Sequence, residues 1–82
     1  MFIKSEASNA IINSDLIHKV EIRKNDDEDF NLCYEVVALT SHRSTVLFRT
    51  HNRQEAQTYL DRVMGLLNRL KKRVRCDINF EQ

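Results

Sequence analysis

The stretch "NRQEAQTYLDRVMGLLNRLKKRVR", Asn52 to Arg75, decides the fold. Its apolar residues Ala56, Leu60, Val63, Leu67, Leu70 and Val74 are separated by 4, 3, 4, 3 and 4 residues, the a/d spacing of a heptad. On a helix all six fall within roughly 40° of one line. Tyr59 and Leu66 widen this stripe on one flank and Met64 on the other, so the first turns have the width of a core-facing helix. Asn52 is placed to accept from the first free amides while Glu55 reaches back, the arrangement of a capping box. A helix over about 53–75 is expected. The chain's only glycine, Gly65, lies mid-helix on the side away from the stripe. There it costs roughly 1 kcal/mol of helix propensity, unless something outside the domain approaches the backbone closely.

Working back toward the N-terminus, the pattern turns to strands. Thr45 to Thr50 is apolar and β-branched, and Ser41 to Ser44 makes a polar turn before it. From Phe30 to Thr40 one face carries Phe30, Leu32, Tyr34, Val36 and Ala38. The other carries Cys33, Val37 and Leu39, a second apolar set that calls for cover on both sides of the strand near its end, or for a partner that covers it. Leu16 to Lys24 alternates, with His18, Val20 and Ile22 opposite Lys19, Glu21 and Arg23. Short strands are expected at 2–4 and 10–13. The turns hold no proline and no glycine, so they rely on Asn, Asp, Ser and His. Strands at about 2–4, 10–13, 16–24, 30–40 and 45–50, with the helix near 53–75, give an α+β class. The expected architecture is an antiparallel β-meander of four to five strands with one long C-terminal helix packed on one face. In the tail 76–82, Cys76, Ile78 and Phe80 alternate with polar residues, which fits either one more strand or a segment docking elsewhere.

Length and composition bound the function. Eighty-two residues make one domain, and so short a chain removes only a little over 60% of its unfolded surface from water. The formal net charge is +1, which exerts no global pull toward nucleic acid or an anionic membrane. Charge is nevertheless segregated. Asp26, Asp27, Glu28 and Asp29 form an acidic run, while Arg49 to Arg75 holds eight Arg or Lys against Glu55 and Asp61, a local balance of +6. The sequence begins Met-Phe-Ile-Lys and turns polar at once, with neither the apolar core of a signal peptide nor a membrane-spanning run. A cytoplasmic location without membrane contact is expected. Cys33 and Cys76, the only cysteines, have no CxxC spacing and read as reduced thiols, the first structural and the second exposed.

The segments "AIINSDLIHKVEI", "YEVVAL", "TVLFRT" and "NRQEAQTYLDRVMGLL" follow in an order similar to that of small bacterial and phage proteins built as a meander plus helix. The same order resembles a truncated pleckstrin-homology-like domain. The resemblance covers residues 10 to 67. It implies a binding or regulatory role without a particular ligand, and it carries over no catalytic or ligand residue.

Enzymatic chemistry finds no footing in these residues. One glycine excludes the GxGxxG and GxxxxGK phosphate loops. Ser41, His42 and Ser44 share a polar hairpin with no strand-to-helix elbow. The carboxylates of Asp15 and of the acidic run lack the apolar enclosure that separates proton affinities. His18, His42, His51, Cys33 and Cys76 show no metal-ligand spacing, so neither a metal nor a cofactor is expected.

Association is the better expectation. About 23 helical residues span roughly 34 Å, against roughly 20 to 30 Å for strands of six to nine residues, so such a helix overhangs its sheet. Leu60, Val63, Leu67, Leu70 and Val74 then form the seam of a homodimer, unless the helix frays before Leu70 or Ile78 and Phe80 fold back over it; a protein partner is the expected ligand class. Arg62, Arg69, Lys71, Lys72, Arg73 and Arg75 crowd the helix and its end. They satisfy the negative end of the helix dipole or, alternatively, contact phosphates of a nucleic acid.

Overall fold

The structure, a computed structural model, describes residues 1–26, 31–70 and 74–79. Strands β1 (Phe2–Lys4) and β2 (Ile11–Asn13) pair as a two-stranded antiparallel ribbon. Then β3 (Lys19–Asp26), β4 (Leu32–Leu39) and β5 (Ser44–Thr50) run as an antiparallel meander. Helix α1 (Arg53–Arg69) crosses one face of this sheet and touches β3, β4 and β5. Strand β6 (Arg75–Asn79) completes a second sheet of order β5-β4-β3-β6. The α+β class and the helix on one face are as expected. The tail takes the first of the two courses its alternation allowed and adds a fourth strand to the larger sheet; its direction differs from the meander, since β6 runs parallel to β3, with Lys19 opposite Arg75 and Ile22 opposite Ile78.

The core forms where the alternation of the strands meets the stripe of the helix. Val20, Ile22, Val36, Ala38 and Leu47 pack with Ala56, Leu60, Val63 and Leu67, and the ribbon adds Ile3 and Ile12. Phe48 and Tyr59 stack at one border of this layer, with ring centroids 4.6 Å apart and planes inclined by 7°, an arrangement that adds to plain burial. Along β3 the start differs from the expected residue 16. Asn13 caps a single 3-10 turn, Ser14–Leu16, by accepting from the Asp15 amide at 2.9 Å. That turn sends Ile17 into the core before β3 begins. Buried Ser14 keeps a hydroxyl with no hydrogen-bond partner among the described residues. Since an unsatisfied buried hydroxyl is unfavourable, Ser14→Ala is expected to raise stability by up to about 1 kcal/mol in urea unfolding. A loss of that size would show that the hydroxyl is in fact satisfied.

The helix starts where the sequence places it and ends early. The Asn52 side chain accepts from the Gln54 and Glu55 amides at 2.8 and 3.3 Å. Glu55 does not close the box on the Asn52 amide. That amide donates to the Thr50 hydroxyl at 3.1 Å, and the same hydroxyl donates to Glu55 at 3.4 Å. At the other end α1 stops at Arg69 instead of Arg75, and the Leu70 amide closes the last turn on the Leu66 and Leu67 carbonyls. Continuing the helix competes with pairing of the tail against the free edge of β3. Pairing wins, with the Arg75 amide donating to the His18 carbonyl at 3.1 Å.

The sheet face away from the helix is charged yet closely packed. Glu21 and Glu35 are only 5% and 7% exposed. Arg49 grips one Glu35 oxygen through Nε at 2.9 Å and Nη2 at 2.6 Å, and Asn25 donates to the other at 3.4 Å. Arg23 and Lys19 hold Glu21. The Glu35 hydrogen bond and charge push the Arg49 guanidinium further above its ordinary value. Cys33 and Val37 lie fully buried on this same face, so β4 is covered on both sides as its two apolar sets require.

Candidate interaction groove

The N-terminal ribbon is fastened beside the helix by one serine and one bulge. Between Val36 and Val37 the β4–β5 register shifts, leaving Leu47 without a partner on β4. Two successive β5 carbonyls at this irregularity are taken by the N-terminal segment. The Ser5 hydroxyl donates to Val46 at 2.6 Å, and the Glu6 amide donates to Leu47 at 2.7 Å. Ser5 also accepts from the Ala7 and Ser8 amides at 3.1 and 3.0 Å, which turns the chain toward β2. Ile3, Lys4 and Glu6 are thereby set against the outer flank of α1.

Between these two walls lies a groove of about 590 Å³. Ile3, Tyr59, Val63 and Leu66 give it an apolar lining, and Lys4, Glu6, Asp61, Arg62 and Arg69 bring charge of both signs. A smaller recess of about 280 Å³ continues it toward the start of the helix, sharing Glu6, Tyr59 and Arg62 and bounded by Phe48 and Asn52. Partial burial, with the Glu6 charge assisting and Arg62 opposing, raises the Tyr59 phenol above its ordinary value and keeps it neutral. Gly65 lines the groove, and a Cβ built there meets nothing within 4 Å.

That empty space makes a clean prediction. Gly65→Ala gains helix propensity without touching a neighbour, so it is expected to stabilise the fold by about 0.5–1 kcal/mol in thermal or urea unfolding. A destabilised variant would mean that the flank is packed against something.

The seam residues are placed differently from the dimer expectation. Leu60, Val63 and Leu67 are buried in the chain's own core, and a helix of 17 residues, about 25 Å, does not overhang strands of seven and eight residues. Leu70 sits at the helix end, 42% exposed. Val74 precedes β6 and packs half-buried against the core. The seam therefore holds the domain together and offers no continuous interface. Of the six cations, Arg62 and Arg69 meet in the groove, while exposed Arg75 opens β6 at the opposite edge of the sheet from β5. Lys71, Lys72 and Arg73 lie outside the described residues, as do Asp27 to Asp29 of the acidic run. Sequence reasoning missed Ile3, Lys4 and Glu6 because nothing local links them to the helix. The one legible signal was Gly65.

Among the described residues no group of three or more His, Cys, Asp or Glu is placed to hold a metal ion. None of their helices is long and apolar enough to cross a membrane. No protein-family model, curated protein or solved structure matches the chain.

Proposed function

We propose that the chain is a small non-enzymatic interaction domain whose groove between the N-terminal ribbon and α1 receives a segment of protein. The carrying observation is Gly65, a mid-helix residue that weakens its own helix, lines the groove and leaves open space for 4 Å around the place of a Cβ. A glycine there lets a partner approach the helix backbone, with Tyr59, Leu66 and Ile3 supplying apolar contact and the charged rim fixing orientation. Charge of both signs favours protein over nucleic acid. Glu6 and Asp61 stand among the same cations that a phosphate would need, and like charge beside a phosphate is repulsive.

The test is selection of random displayed peptides on the immobilised protein, followed by mapping of amide shifts. Selected peptides are expected to perturb Ile3, Tyr59, Gly65 and Leu66 and to lose binding to Gly65→Arg. Failure to select any, or perturbation centred elsewhere, would sink the reading. So would salt-sensitive retardation of single- or double-stranded nucleic acid that depends on Arg62 and Arg69.

A further inference from the structure

We draw no further inference here: the strongest candidate, the exposed apolar face that Phe2 and Ile11 give the N-terminal ribbon beside the groove, carries none because nothing in the structure shows what covers it.

Discussion

Leu67→Asp unfolds the domain, while Leu70→Asp, one step along the same apolar stripe, leaves it folded. Leu67 has no exposed surface and packs into the core from the last full turn of α1. Truncation alone at such a site costs about 2–5 kcal/mol, and a carboxylate without a partner adds a desolvation penalty. At roughly 0.05–0.15 kcal/mol per residue, a domain of this size has a total margin on the order of 4–12 kcal/mol, so the combined cost consumes most or all of it. Leu70 stands 42% exposed beyond the helix. A carboxylate there stays wet and changes stability by about 0.5 kcal/mol. Urea unfolding followed by circular dichroism separates the two outcomes. Two folded variants that differ only in association would return the stripe to the role of an interface.

Ser5→Ala has the second largest expected effect. The substitution removes the donor to the Val46 carbonyl and the common acceptor of the Ala7 and Ser8 amides, in a residue only 3% exposed. Leaving such groups unpaired costs about 1–3 kcal/mol. The loss is local before it is global, because these bonds hold one wall of the groove to the β5 bulge. Amide exchange is expected to quicken first at Glu6, Ala7 and Ser8, with β3 and β4 still protected. A denaturation midpoint within about 0.5 kcal/mol of the parent, with unchanged exchange in this turn, would show that the ribbon is held by Ile3 and Ile12 alone.

Much of this architecture was legible from local pattern. The cap at Asn52, the alternation of Val20 and Ile22, and the two apolar sets of β4 each follow from neighbours within a few residues, and the meander and helix follow from them. The end of the helix was not legible, because Leu70 and Val74 keep the heptad spacing while the residues from Arg75 onward pair with a strand more than fifty positions earlier. A heptad also cannot say whether its stripe meets a sheet or another helix, since both demand the same apolar positions. Nothing local marks Glu21 and Glu35 as buried carboxylates with fixed partners. Arg49 lies 14 residues from Glu35 and reaches it only across the β4–β5 pairing. The candidate groove was the least visible feature. Its walls join the first six residues to the helix through a bulge and a serine hydroxyl, and only Gly65 marked the place.

The most direct measurement is solvent paramagnetic relaxation of the assigned protein in dilute solution, comparing the two sides of α1. With the stripe turned inward and the Gly65 flank left open, a soluble paramagnet should broaden signals of Gly65 and Leu66 and leave the methyls of Leu60 and Leu67 sharp. Broadened Leu60 and Leu67 methyls beside a protected Gly65 would contradict it, placing the groove side within the fold and the stripe at the surface.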